Sequence, residues 1–325
     1  MSILISGSLA YDTVFDHEDT FLNTIKGDAI DHLNVTFQAS GMRRTIGGCA
    51  GNIAYSLKQL GGDPLIWTAV GCDAGAFMVH LENHNIPTDG ISTYMDTYSA
   101  QAVITTDKNG CQLTTFYSGA MAYADKIPFP KKDVSLAILA PTTHDPLLAH
   151  AAALKKRGIP YLLDTGQTTP LFSGEELLSL VKDSIGVCFS VYEGGVYRSK
   201  TGLTPEELSK LCPAVYCTDS GHGSTVFING ENHHIPAKPT ECVDPVGAGD
   251  AYRGGLLWGL DHGYSPIQSA RFGALIAAQK VAVAGPNYTY SEEELLKDYE
   301  AFFKDEDPKN RALQLKGSIF GKILF

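Results

Sequence analysis

Between residues 134 and 228 short apolar runs alternate with helical segments, and this alternation constrains the fold more than any other feature of the 325-residue chain. Residues 134–140, 161–164, 185–189, 213–218 and 225–228 read as strands, and 144–157, 173–181 and 204–211 as helices. Two of those helices open on capping boxes, Ser173 with Glu176 and Thr204 with Glu207, the second with Pro205 at its first position. Repeated strand–helix units predict an open parallel sheet covered on both faces. The chain begins in the same way. Residues 3–6 form an apolar strand ended by Gly7, and 50–60 a helix with Ile53, Leu57 and Leu60 on one face. A strand over 64–70 and a helix over 76–84 follow.

Two segments break the pattern. Residues 14–40 and 92–118 are rich in Thr, Tyr, Phe and Val with polar alternation, which predicts half-buried strands. Residues 100–106 and 112–117 flank Asn109-Gly110, a pair suited to a tight hairpin turn. Half-buried antiparallel strands do not fit inside a parallel sheet. A separate small antiparallel sheet, lying as a lid over one side of a single α/β domain spanning residues 1–325, is the simplest arrangement; an extended edge of the main sheet is the alternative.

Charge and cysteines narrow the function classes. The net charge is -11. The longest basic cluster, Lys155, Lys156 and Arg157, falls on a helix and reads as a solvated face, so nucleic acid is not an expected partner. The 7 cysteines contain no C-x-x-C pair, which leaves a zinc site or redox dithiol without support. The opening MSILISGSLAYD lacks a basic leader, and no apolar run reaches the ~18 residues of a membrane span. A cytoplasmic, reduced protein is expected, as a monomer or a homodimer.

The chemistry concentrates in a few places. Gly247, Ala248 and Gly249 precede a helical run from about 250 to 260. Such a start directs unpaired N–H groups and the helix dipole at one point, where an anion is stabilised. Asp250 then stands where a phosphoryl group would arrive and can take a proton from a hydroxyl. A helix cap at Asp250 with a simple glycine turn is an equal reading of the same residues. Neither G-x-x-x-x-G-K-[ST] nor G-x-G-x-x-G occurs here, which counts against P-loop ATPases and dinucleotide dehydrogenases.

In residues 46–54, Gly47 and Gly48 permit close backbone approach, and Asn52 offers a donor and an acceptor suited to vicinal hydroxyls. Asp12, after the first strand, accepts from hydroxyls. A local turn bond at Asn52 and a plain loop position at Asp12 are the alternatives. Asp164, Glu193 and the loop 218–223 follow later strands, where an open parallel sheet gathers ligands. Glu193 suits Mg²⁺, directly or through water, and Asp164 suits either the same role or a cap. Phe116 and Tyr117 can stack on a base or sugar face, or simply pack.

Taken together, IGGCAGNIAYSLKQLGG and DPVGAGDAYRGG resemble the two signatures of the ribokinase-like, or pfkB, family of carbohydrate and nucleoside kinases, in the right order and at the right separation. GSLAYD, MRRTIGGCAGN, TTFYSGAM and DAYRGG are most similar to the bacterial adenosine kinase branch. The resemblance implies transfer of the ATP γ-phosphate to the 5′-hydroxyl of adenosine, giving AMP and ADP. It implies Asp250 as base and Gly247, Ala248 and Gly249 as the anion hole. Asp12, Gly48 and Asn52 would hold the ribose, with Phe116 near the base. Thr218, Ser220, Gly221 and Gly223 would line the ATP site, Mg²⁺ would accompany ATP, and Asp244 would help bind a monovalent cation such as K⁺. A kinase of another nucleoside, or of ribose or fructose, is the alternative; a non-catalytic nucleotide-binding protein is a more distant one. Three positions depart from the family pattern: Ser190 replaces the Asn of Asn-x-x-Glu, Ser220 replaces a Gly of the nucleotide loop, and Pro245 replaces the Thr after Asp244.

Overall fold

A computed structural model describes residues 1–25, 34–285 and 288–304. The chain enters through β1 (Ser2–Ser6) and leaves for β2 (Ala10–His17), the helical turn α1 (Phe21–Thr24) and β3 (Ala39–Gly47). It returns through α2 (Cys49–Gln59), β4 (Pro64–Gly71), α3 (Gly75–Asn83) and β5 (Ile91–Tyr94). A second excursion forms the hairpin β6 (Ala100–Thr106) and β7 (Gln112–Tyr117). The strand–helix alternation continues with β8 (Val134–Leu139), α4 (His144–Arg157), β9 (Tyr161–Leu163), α5 (Gly174–Asp183) and β10 (Gly186–Ser190). Then come α6 (Val191–Thr201), α7 (Pro205–Leu208), β11 (Val215–Thr218), β12 (Ser224–Ile228) and β13 (Glu231–Ile235). Three helices complete the described fold: α8 (Ala248–Asp261), α9 (Pro266–Val281) and α10 (Glu292–Phe303).

The main sheet has the order β13-β12-β11-β10-β9-β8-β1-β4-β5. From β11 to β5 every pairing is parallel, and only β12 and β13 turn back antiparallel at one edge. The period-2 geometry of β1 divides the core: Ile3 and Ile5 pack with Leu57, Leu256 and Phe272 on one face, and Leu4 with Leu147 and Leu177 on the other. Each such side chain, fully buried, contributes roughly 1.5–3 kcal/mol. The expected α/β fold is present. β13, with the sequence ENHHI, was not legible as a strand because it is an exposed edge with little apolar content.

The small sheet is also present, with the order β3-β2-β6-β7. Its outer pairs are antiparallel, but β2 and β6 run parallel. Both strands leave the carboxyl ends of parallel strands of the main sheet, β1 and β5, so they point outward in the same direction. Residues 26–33, within the segment expected to build this sheet, and 305–325, at the end of the expected domain, lie outside the described residues. The hairpin turn is wider than Asn-Gly suggests. Asp107 Oδ1 accepts the N–H groups of Asn109 and Cys111 at 2.9 Å each and organises residues 107–111 as one loop.

Two contacts position the later chemistry. Gly48 has φ 95, and a Cβ there would fall 2.5 Å from Ser8 O, so only glycine lets the backbone pass the end of β1. Ser8 then holds the start of α2 through its Oγ to Cys49 N (3.1 Å) and its carbonyl to Ala50 N (3.0 Å). On the other side α8 lies against α2 at Gly254, where a Cβ would be 2.5 Å from that of Ser56. This close packing brings the first turn of each helix to the same place.

Candidate active site

At that meeting point Asn52 Nδ2 on α2 donates to Asp250 Oδ2 on α8 at 2.8 Å. Burial is the largest influence on the Asp250 carboxyl, and the nearby Asp164 charge adds to it. Asn52 and Arg253 oppose them, and the net result is a carboxyl pushed up to about 6. A carboxylate tuned in this way is basic enough to accept a hydroxyl proton near neutral pH. The Cys49 thiol, at the start of α2, also hydrogen-bonds this carboxyl and favours its ionised form, and both residues line the same cleft.

α8 begins after Gly247, and no side chain caps it. Ala248 N turns back to Pro245 O at 3.2 Å, whereas the N–H groups of Gly249 and Asp250 have no backbone partner among the described residues. Together with the helix dipole they form an anion-accepting end. A cleft of about 720 Å³ opens in front of it. The cleft joins Gly247, Ala248, Gly249 and Asp250 to Glu193 and to Thr218, Ser220, Gly221 and Gly223. These residues come from three separate stretches of chain: Glu193 follows the parallel strand β10, the 218–223 loop follows β11, and the turn into α8 follows the antiparallel β13.

The loop after β11 closes on itself through Asp219 N to Gly223 O (2.8 Å) and Gly223 N to Ser220 O (3.1 Å). Ser220 reaches this turn with φ 47, a left-handed conformation that a glycine adopts without cost. Glu193 is part of a capping box: its Oε2 accepts Ser190 N at 2.7 Å and Ser190 Oγ at 2.9 Å. Ser190, in the place of an Asn, therefore starts α6 and fixes Glu193. The Glu193 Oε1 makes no hydrogen bond among the described residues and lines the cleft, a hard oxygen donor that fits Mg²⁺ through water. No group of three His, Cys, Asp or Glu among the described residues converges to hold a metal by itself.

The residues expected to hold the acceptor lie on the small sheet and at the start of α2. Burial raises the Asp12 carboxyl above its ordinary value. The Asp12 side chain has no hydrogen-bond partner among the described residues and sits against Gly47, where a Cβ would be 2.4 Å from its Oδ2. Strand register puts Asp12 opposite Ala102, and Ala102 opposite Phe116, so all three share one face of the small sheet. Phe116 is 53% exposed. Tyr117 belongs to the opposite face and shares a 2.9 Å hydrogen bond with Thr97 Oγ1.

Asp244 is outside the cleft lining. Its Oδ1 accepts Val246 N (3.0 Å) and its Oδ2 accepts Gly285 N (2.9 Å). Two residues of the site escaped the sequence reading. Arg253 pairs through Nε with the buried Asp164 Oδ2, and its Nη1 donates to Gly249 O at 3.0 Å, bracing the first turn of α8. The signal was an arginine inside the apolar run AYRGGLLWGL, one turn after Gly249. Lys280, buried near Asp244, is the other.

A buried carboxylate, a helix start with unpaired N–H groups and a cleft of nucleotide size at one end of an open parallel sheet are the parts that a phosphotransferase requires. The profile described as pfkB family carbohydrate kinase matches residues 20–293, and the chain belongs to that family. A nucleoside kinase of Burkholderia thailandensis, solved in complex with inosine, superposes with a TM-score of 0.82 at 34% identity, over 94% of this chain and 99% of that one. A nucleoside kinase of Methanocaldococcus jannaschii is 27% identical over 256 residues, 78% of this chain and 84% of its own. An Arabidopsis thaliana ribokinase complexed with ribose and ATP shares the fold, with a TM-score of 0.72 at 19% identity, over 91% of this chain and 97% of that one. The protein is an ATP-dependent kinase acting on a nucleoside or a sugar. No described helix is long and apolar enough to cross a membrane.

Proposed function

We propose that this kinase phosphorylates the 5′-hydroxyl of a purine nucleoside, with adenosine as the acceptor that the sequence points to. The row Asp12–Ala102–Phe116 carries this reading. It spans two inter-strand steps, about 10 Å between the backbones at Asp12 and Phe116. That is the reach from a ribose to the far edge of its base, and a free sugar would leave Phe116 unused. The similarity to a nucleoside kinase that binds inosine supports the same choice.

In the proposed reaction Asp12, Asn52 Oδ1 and the backbone at Gly48 hold the ribose. The Asp250 carboxylate removes the 5′-hydroxyl proton as the hydroxyl oxygen attacks the γ-phosphorus. The bond from the γ-phosphorus to the bridging oxygen breaks, and ADP leaves. The turn that opens α8 at Gly247–Gly249 receives the transferring phosphoryl group through the N–H groups of Gly249 and Asp250. Thr218, Ser220, Gly221 and Gly223 hold the nucleotide. Glu193 would hold Mg²⁺ through water, and the ion would supply neutralisation of triphosphate charge. The small sheet covers the acceptor and limits loss of the phosphoryl group to water.

The test offers adenosine, inosine, other nucleosides, ribose and fructose separately to the purified protein with ATP and Mg²⁺, and identifies products by mass. AMP from adenosine is expected. Asp250→Asn should lower kcat by about 10²–10⁴-fold while ATP still binds. Phosphorylation of a free sugar but of no nucleoside would overturn the acceptor assignment.

A further inference from the structure

The segment expected to hold a monovalent cation already contains a charged group of the chain itself. Lys280, in the last turn of α9, is 2% exposed. Its Nζ donates to Asp244 O at 3.0 Å and lies 3.5 Å from Asp244 Oδ2. Its Cε lies 3.7 Å from the place a Cβ would take at Gly247, so the ammonium sits directly behind the turn that opens α8. The remaining Asp244 carboxylate bonds go to the N–H groups of Val246 and Gly285. Burial disfavours ionisation of Asp244, but those two N–H groups and Lys280 outweigh it and hold the carboxyl below its ordinary value.

A potassium ion needs several oxygen ligands that have no competing donors. Here a carbonyl and a carboxylate that would serve it already accept from an ammonium and two N–H groups. The residues present therefore do not fit a bound monovalent cation at Asp244. We propose that the Lys280 ammonium is a tethered cation that takes the place of a free monovalent ion, so that this kinase needs no K⁺. Behind the turn it attracts the Asp244 carbonyl and carboxylate. The same turn then presents the N–H groups of Gly249 and Asp250 toward the cleft, where the phosphoryl charge develops. Lys280 is thus a positioning residue: it acts through the 244–247 turn and touches no reacting atom.

The first measurement is the initial rate of the wild-type enzyme in KCl, NaCl and tetramethylammonium chloride at one ionic strength. Equal rates are expected; activation by K⁺ of about ten-fold or more, the scale of a lost electrostatic contact in a transition state, would overturn the proposal. The second compares Lys280→Ala, checked for folding by circular dichroism. Its kcat should fall without added cation and recover in NH₄⁺ or K⁺, while the KM for the acceptor stays unchanged. A folded variant with wild-type kcat in tetramethylammonium chloride would also overturn it. The third is independent of the acceptor: crystals soaked in thallous acetate should show no anomalous peak at Asp244 in the wild type and one in Lys280→Ala. A wild-type peak there would refute the tethered cation even if the substrate assignment held. Should the variant fail to fold, the wild-type rates and wild-type crystals still decide the question.

Discussion

Asp250 owes its proposed role to its surroundings. Burial pushes its carboxyl up to about 6, and Asn52 restrains that rise by donating to the ionised form. A base must be ionised to work, so kcat/KM should increase as pH rises through about 6 and then level off. Asn52→Ala removes a donor that favours the charged form. The rising limb should therefore move to higher pH, with a lower plateau if the ribose also loses a contact. A pH–rate profile with a saturating nucleotide measures both; a limb unmoved or shifted to lower pH would remove Asn52 from the base's environment. The carboxylate and the amide come from positions 198 residues apart, and no local pattern joins them.

Among the elements, the proposed nucleotide loop at 218–223 depends on one tight turn. Gly223 has φ 95, and a Cβ there would lie 2.2 Å from Ile235 O, against β13. Gly223→Ala must displace the loop; strain of a few kcal/mol should raise the KM for ATP roughly ten-fold or more, with the acceptor KM little changed. Steady-state kinetics with each substrate varied in turn separates the two, and a change confined to the acceptor would contradict the placement of ATP. A second element-scale effect lies away from the chemistry. His150 of α4 stacks on Trp67 of β4 at 3.5 Å between ring centroids, and its nitrogens bond Ser6 Oγ (2.7 Å) and Ala124 O (2.9 Å). Burial lowers its pKa to about 4. The unfolded chain thus binds the proton first on acidification. This contribution to stability is intact above about pH 6.5, is lost as pH falls toward 4, and amounts to about 3 kcal/mol. Urea unfolding of the wild type and His150→Gln at several pH values should show a shallower acid loss in the variant; parallel curves would count against it.

For the whole molecule, the division into a thick α/β body and a thin four-stranded sheet predicts unequal dynamics. Both faces of β1, β4 and β8 are packed, whereas β7 is exposed along its length. Amide exchange in β6 and β7 should be fast in the free enzyme and slow when nucleoside binds, with little change in the body. Protection by ATP alone, and none by nucleoside, would place the acceptor elsewhere than under the small sheet.

What could be read without a structure was local or periodic. Alternating apolar runs specified the parallel body, because strands buried on two faces need continuous Val, Ile and Leu. The turn at Gly247–Gly249 and the capping boxes at Ser173 and Thr204 were equally legible, since each is made by neighbours in the chain. The expected small sheet was found, but the parallel pairing of β2 with β6 was decided only when both strands left the same end of the main sheet. The Asp107 loop, the Asn52–Asp250 bond and the Arg253 brace arise from side chains finding partners in space. Lys280 makes the point most sharply. In the sequence it is one basic residue near a helix end; folding buries it against Asp244, because helix packing brings the end of α9 to the back of the turn that opens α8.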